Sequence, residues 1–329
     1  MRHATFRQME IFEAVARLGS FTRASEELFL TQPTVSMQIR KLSDAVGLPL
    51  YEQIGKRIHL TEVGVELART AREIVGAMER MDMSVAQMRG LQKGRLRLAV
   101  VTTAKYFAPM LLGAFSRSHP GITLSLKVTN RERVLERVAE NLDDLYILSD
   151  PLDGLGLVAE AFLDNPLLVL AAPGHPLART RGISLETLAR EPFLMREPGS
   201  GTRDAIENVF AARGLKINVR MELGSNEAIK QAIVAGLGIS VLSRHVLVAG
   251  RDDPVVLDVE GFPLMRHWHV AYPRGCQLSV AAQAFREFLL RESAKERGTG
   301  RTAPAHDQPA TAAQALAAPR STRARRALV

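Results

Sequence analysis

The stretch "EELFLTQPTVSMQIRKL", residues 26–42, places a proline where two amphipathic patterns meet. Upstream, "SFTRASEEL" reads as a short helix with Ser20 as its N-cap. Around Leu30 the chain turns tightly. Thr31 then caps a new helix, and Gln32 and Pro33 fall in its first turn, where a missing N–H removes no intrahelical bond. Val35, Ile39, Leu42 and Val46 recur at helical spacing and form one buried face. Pro33, Thr34, Ser36, Met37, Arg40 and Lys41 lie to the sides or opposite. A short helix, a three-residue turn and a second helix with a small polar front edge make a helix-turn-helix. Small groups let such a helix enter a major groove. Gln32 suits a bidentate contact with adenine, and the hydroxyls of Thr31, Thr34 and Ser36 suit either base edge. Arg40 and Lys41 suit phosphates, which position without reading sequence. Beyond it, "YEQIGKRIHLT" (51–61) reads as a β-wing with Gly55 at its turn and Lys56 and Arg57 at its tip.

The chain has 329 residues, 46% hydrophobic and 24% charged, ordinary for a globular protein of two or three domains. No apolar run reaches the 18 or so residues of a membrane span, and "MRHATFRQMEIFEAVA" lacks the apolar core of a signal peptide. The single cysteine, Cys276, excludes an intrachain disulfide and fits a reducing cytoplasm, where the protein is expected to reside. The net charge of +8 is uneven. Residues 1–92 carry +1, residues 93–296 carry +2 and residues 297–329 carry +5. Isoelectric point alone therefore says little about nucleic acid. The last segment is rich in Ala, Pro, Thr and Arg and is expected to be a disordered tail.

Residues 62–91 read as one long helix. Leu67, Ala71, Ile74, Met78, Met81, Val85 and Met88 recur in steps of four and three, an apolar seam over three heptads. A partner helix explains so narrow a stripe; packing on the chain's own domains is the alternative. From 95 to 292 strand and helix patterns alternate, which predicts mostly parallel sheets. Two sheets with a cleft between them are expected, since single cores seldom grow through so many short units. The expected architecture is α+β and multi-domain. It comprises a winged helix-turn-helix (1–60), a dimerisation helix (61–92) and a two-lobed α/β domain, with one lobe at 93–164 plus 270–296, the other at 165–269 and the tail at 297–329.

Several strand ends run into polar helix starts: Thr102-Thr103, Thr129-Asn130, "EPGSGTR" (197–203) and Ser225-Asn226. Free N–H groups at helix N-termini attract anions. In "EPGSGTR", Gly199 and Gly201 are expected to let the backbone approach a ligand. Ser200 and Thr202 would add hydroxyls, Arg203 charge, and Glu197 opens the segment. Lys105 would face them from the other lobe. The expected ligand is a phosphorylated or carboxylated metabolite; simple helix capping is the alternative, especially for Thr129 and Asn130.

The residues "FEAVARLGSFTRASEELFLTQPTVSMQIRKLS" and the later "GLPLYE…RIHLTEVG" resemble the N-terminal region of LysR-type transcriptional regulators. Ser43 stands where an acidic residue is usual, and "YEQIGK" replaces a commoner Phe-x-Arg pattern. "VTTAKYFAPMLL", "ENLDDLYILSDP", "REPGSGTR" and "LGSNEAIKQAIVAGLGISVLS" are most similar to the CbbR-type regulators of Calvin-cycle carbon-fixation operons. The resemblance implies that Gln32, Pro33, Ser36 and Met37 face bases of double-stranded DNA. It also implies a homodimer assembling to a homotetramer, activation of a carbon-fixation operon, and RNA polymerase as a further partner. No cofactor is implied; the effector would be a phosphorylated sugar, an organic acid or an NADPH-type metabolite.

An enzyme is the main rival from another class. No G-x-S-x-G is present, and "GLGLVA" (154–159) matches a loose G-x-G-x-x-A with no capped helix behind it. His267 and His269 share one strand face, too few ligands for a metal. Asp143 and Asp144 read as solvated charges pointing apart. A purely architectural DNA protein would have no use for a two-lobed cleft.

Overall fold

The computed structural model describes residues 4–54, 57–88, 93–149, 154–247 and 254–298. The N-terminal domain begins with α1 (Phe6–Leu18), started by a capping box in which Thr5 and Gln8 exchange hydrogen bonds. Gly19, in the left-handed region at φ +60°, ends it. Ser20 accepts from the Arg23 amide at the start of α2 (Phe21–Glu27), and Thr31 accepts from the Thr34 amide at the start of α3 (Gln32–Val46). Val35, Ile39 and Leu42 are fully buried against Ile11, Phe12 and Val15. The wing is an antiparallel pair, β1 (Tyr51–Ile54) and β2 (Arg57–Leu60).

The linker helix α4 (Glu62–Met88) starts where Gly64 lies against the wing's base; a Cβ there would sit 1.9 Å from the Leu50 carbonyl oxygen. The expected seam needs a correction. Leu67 and Ala71 are buried in the N-terminal core, because the first turns of α4 must cover α1. Ile74, Met78 and Met81 emerge beyond that contact, 39%, 47% and 59% exposed. Val85 is half-buried, and the Met88 side chain lies outside the described residues.

Two lobes follow. The first holds β3 (Gly94–Val101), α5 (Ala108–Ser118), β4 (Ile122–Thr129), α6 (Arg131–Ala139), β5 (Leu145–Ser149) and β6 (Leu157–Asp164). The chain then enters the second lobe with β7 (Leu167–Ala171), α7 (Leu185–Arg190), β8 (Phe193–Arg196), α8 (Gly201–Ala211), β9 (Val219–Leu223), α9 (Asn226–Val234), β10 (Ser240–Ser243) and β11 (Val255–Val256). It returns through β12 (His267–Pro273) and ends in α10 (Val280–Gly298). The tail beyond 298 lies outside the described residues.

The first sheet has the order β4-β3-β5-β12-β6; the second lobe has β10-β7-β11 and β8-β9. Among the strands of the described residues, the parallel pairs are β3 with β4, β3 with β5, and β8 with β9. The expectation of mostly parallel sheets is thus corrected. β6, β7 and β12 flank the two crossings between lobes, and each pair they form is antiparallel. β12 belongs to the first sheet from His267 onward, three residues before the expected lobe boundary at 270. Trp268, Phe115 and Phe285 centre the first lobe's core, and Phe193 and Phe210 the second's.

Candidate nucleic-acid interface and effector cleft

The polar front of α3 is open. Thr31, Gln32, Pro33, Met37, Arg40 and Lys41 are exposed, and Thr34 and Ser36 are half-buried. The Thr31 and Thr34 hydroxyls lie 2.8 Å apart, so each is partly committed to the cap. Gln32 and Ser36 remain available to a groove. Lys56 and the Arg57 side chain lie outside the described residues.

Between the lobes lies a small cavity of about 30 Å³. Thr102 and Thr103 line it from the first lobe and Ser200, Gly201 and Thr202 from the second, as expected. Arg131, Ser149, Arg266 and Trp268 also line it and were not anticipated. Ser149 and Trp268 are direct neighbours on β5 and β12. The Ser149 hydroxyl and the Trp268 indole N–H are buried and make no hydrogen bond among the described residues. Unsatisfied buried polar atoms are rare and call for a partner. Arg131 donates to the Ser149 carbonyl at 3.3 Å, and Arg266 donates to the Gly201 carbonyl at 2.8 Å. Ser200 is buried, yet its side chain makes no capping bond to α8, so the start of that helix keeps free N–H groups toward the cavity. The arrangement favours an anion with several acceptor oxygens. The cavity holds about two waters at most, so a metabolite must widen it.

Other expected residues serve the lobes instead of the cavity. Gly199, at φ +78°, faces Glu132 of α6; a Cβ there would lie 2.5 Å from Glu132 Oε2. Gly201, which lines the cavity, is also crowded by Arg131, so both glycines permit close approach of the two lobes. Arg203 is claimed by Glu207 at 2.8 Å and Glu222 at 2.5 Å. Asn130 caps α6, accepting from the Arg133 amide at 3.0 Å, and Thr129 ends β4 outside the cavity lining. Glu197 pairs with Arg196 at 2.7 Å. Arg196, 1% exposed, donates to Asn226 Oδ1 at 2.6 Å and to Thr102 Oγ1 at 3.1 Å. Asn226 donates to Thr103 Oγ1 at 3.2 Å, which completes a buried bolt between the lobes.

At the rim, Lys105 and Tyr106 of the first lobe donate to Glu227 of α9 at 2.8 and 2.7 Å. The charge expected to face the ligand is therefore matched by a carboxylate. Partial burial pushes the Glu227 carboxyl up, but hydrogen bonds from Lys105, Tyr106 and Ser225 outweigh it and bring it down to about 2. Burial, then the same carboxylate, holds the Tyr106 phenol well above its ordinary range. Asp143 and Asp144 are not the solvated pair expected. Asp143 is buried on Arg137 at 2.8 Å, and Asp144 binds Arg97 at 3.0 Å. The missed cavity residues had weak local signals. Trp268 alternates with two histidines that point to the opposite face of its strand, and Arg266 precedes that strand by one residue. Among the described residues no cluster of His, Cys, Asp or Glu is arranged to hold a metal, and no helix is long and apolar enough to cross a membrane.

Residues 6–65 match the family described as bacterial regulatory helix-turn-helix protein, lysR family, and residues 89–294 match the LysR substrate binding domain. The transcriptional activator CmpR of Synechocystis sp. is 52% identical over 292 residues, 88% of this chain and 96% of the relative. The RuBisCO operon transcriptional regulator of Acidithiobacillus ferrooxidans is 48% identical over 298 residues, 89% and 96% of the two chains. Among solved structures, the Synechocystis CcmR regulatory domain in complex with 2-PG is 52% identical with a TM-score of 0.59; the match covers 61% of this chain and 98% of that one. Full-length CbnR, solved with its target DNA, shares the fold at 23% identity and a TM-score of 0.61, covering 88% and 99%. These relatives are regulators and not enzymes. Both domain families are matched in order, with a relative of 52% identity along nearly its whole length, and the chain accordingly belongs to the LysR family of DNA-binding transcriptional regulators.

Proposed function

We propose that this regulator activates a carbon-fixation operon in the cytoplasm when a small anion carrying phosphate and carboxylate groups occupies the cleft. The observation that supports it best is the pair of unsatisfied donors, Ser149 and Trp268, set between Arg131, Arg266 and the uncapped start of α8. A 52% identical regulatory domain holds 2-PG, and relatives at 48% identity govern RuBisCO operons. Gln32 and Ser36 read bases, with Thr31, Pro33, Thr34 and Met37 completing the groove face. Arg40, Lys41, Lys56 and Arg57 grip phosphates. Ile74, Met78 and Met81 pair linker helices in a homodimer, two of which assemble to a homotetramer that meets RNA polymerase at the promoter.

Calorimetry with 2-phosphoglycolate, a sugar bisphosphate, a dicarboxylic acid and NADPH tests the ligand. Trp268→Phe keeps the ring and removes the donor; Thr202→Ala removes a hydroxyl. Each should weaken binding of the preferred ligand roughly 10- to 100-fold, the worth of one hydrogen bond to a charged acceptor. Unchanged affinity in both variants refutes the site. Footprinting on the protein's own upstream DNA tests the rest: the ligand should change the footprint, and Gln32→Ala should blur sequence preference while Arg40→Ala weakens all sequences alike.

A further inference from the structure

The helix α6 touches the cleft at one end and the linker helix at the other. At its start, Arg131 lines the cavity, and the Glu132 amide donates to the Gly199 carbonyl of the second lobe at 3.2 Å. Its middle is pinned by Val134, fully buried under β3 and β5. Its end is stiffened by Arg137, which grips Asp143, while the Tyr146 hydroxyl donates to the Arg137 carbonyl at 2.9 Å. Nine residues make a rod of about 13 Å. Just past that rod, the Glu140 carbonyl accepts a hydrogen bond from Arg72 of α4. Nearby, Glu79 of α4 pairs with Arg97 at 3.2 Å, and Arg97 pairs with Asp144.

The surroundings make this contact decisive. A crevice of about 590 Å³ separates the N-terminal domain and α4 from the first lobe, lined by Glu13, Arg17, Arg72, Arg97 and Lys127 among others. Across it, Arg72 and Glu79 bridge from α4 to the first lobe. Further along, Met83 packs into the first lobe's core and closes on Gly94, where a Cβ would sit 2.9 Å from its sulfur. The linker is therefore anchored at Met83 and steadied at Arg72, 11 residues or about 16 Å up the helix. A 1 Å shift of the α6 end would swing the linker by roughly 3–4° about that anchor, and the DNA-binding domain rides on its far end.

We infer that α6 relays occupancy of the cleft to the DNA-binding domain of the same chain through the Arg72–Glu140 contact. This rests on the effector reading above. A ligand that widens the cleft must displace Arg131 or part Glu132 from Gly199, and a helix pinned along its length passes the displacement to its other end. Arg72 touches neither the ligand nor the DNA face; it is a positioning residue. Linkage then requires that ligand and DNA change each other's affinity by one common factor.

The test compares the full-length protein with Arg72→Met, and with Glu79→Gln in case the first variant folds poorly, as checked by circular dichroism. Calorimetry measures 2-phosphoglycolate binding, and fluorescence energy transfer measures affinity and bend of the upstream DNA with and without it. The relay predicts ligand affinity within twofold of wild type in both variants. The ligand-induced change in DNA affinity or bend should fall to within about twofold of none for Arg72→Met and be reduced for Glu79→Gln. Binding with an undiminished DNA response in a folded variant overturns the relay and leaves the effector site standing. Absence of binding to the wild type overturns the effector reading, and the relay with it.

Discussion

Phe29 sits in the turn between α2 and α3, 95% exposed, in the left-handed region at φ +52°. Its neighbours explain the posture. The Phe29 amide donates to the Glu26 carbonyl at 3.3 Å and the Leu30 amide to Ser25 at 2.9 Å, a helix end that demands a left-handed residue. That geometry turns Leu28 and Leu30 toward the N-terminal core and the phenyl ring outward. Glycine or asparagine tolerates the conformation better than phenylalanine. Phe29→Asn is therefore expected to stabilise the protein by about 0.5–1 kcal/mol in urea denaturation, since no packing is lost. A destabilised variant would mean that the ring has a partner within the assembly. The caps on either side of this turn, Ser20 and Thr31, were legible in sequence because capping depends on a side chain and amides two or three residues away. The orientation of Phe29 was not, because it follows from which leucines the core accepts.

At the level of elements, the linker helix divides its apolar stripe between two tasks. Leu67 and Ala71 close the N-terminal core, while Ile74, Met78 and Met81 face outward from the chain. Heptad spacing made the stripe visible but not the point where its role changes. That point is set by how far α1 extends along α4. Replacing Met78 and Met81 together by aspartate should shift the protein toward folded monomer in sedimentation velocity. Leu67→Asp should instead unfold the N-terminal domain, at about 2–5 kcal/mol or more for a lost core side chain. Sedimentation unchanged by the methionine pair would remove the seam. The strands show the same division. β3, β4, β5 and β12 are legible from alternation or short apolar runs, whereas "LVAEAFLD" of β6 has an irregular pattern, because a register shift opposite Trp268 and His269 interrupts the two-residue period.

Across the whole molecule, the two lobes are held together by Arg196 and Asn226 of the second lobe, which donate to Thr102 and Thr103 of the first, and by the rim clamp on Glu227. The clamp has a definite pH signature. The folded Glu227 carboxyl is lowered to about 2 from 4.5, so its contribution to stability is fully present above pH 4.5 and is lost as pH falls from there toward 2. Melting midpoints from pH 6 to 3 should fall more steeply for the wild type than for Glu227→Gln. Because Glu227 is half exposed, the difference should be modest and shrink in high salt. Equal slopes would show that the Glu227 clamp adds nothing to stability in this range.

What the sequence determined by itself was local: helix starts, the helix-turn-helix, the long linker and most strands, each governed by periodicity and capping within a few residues. It also carried enough likeness to place the chain in its family. Which side chains face the cleft was settled only by tertiary structure. Ser149 and Trp268 meet through an antiparallel pairing of strands over 100 residues apart, and Arg131 reaches them from a helix start. Arg203 and Lys105 looked suited to an anion in isolation, but folding sets carboxylates beside them. A charge's role depends on its nearest opposite charge, and for these two residues that neighbour is fixed by the packing of distant segments.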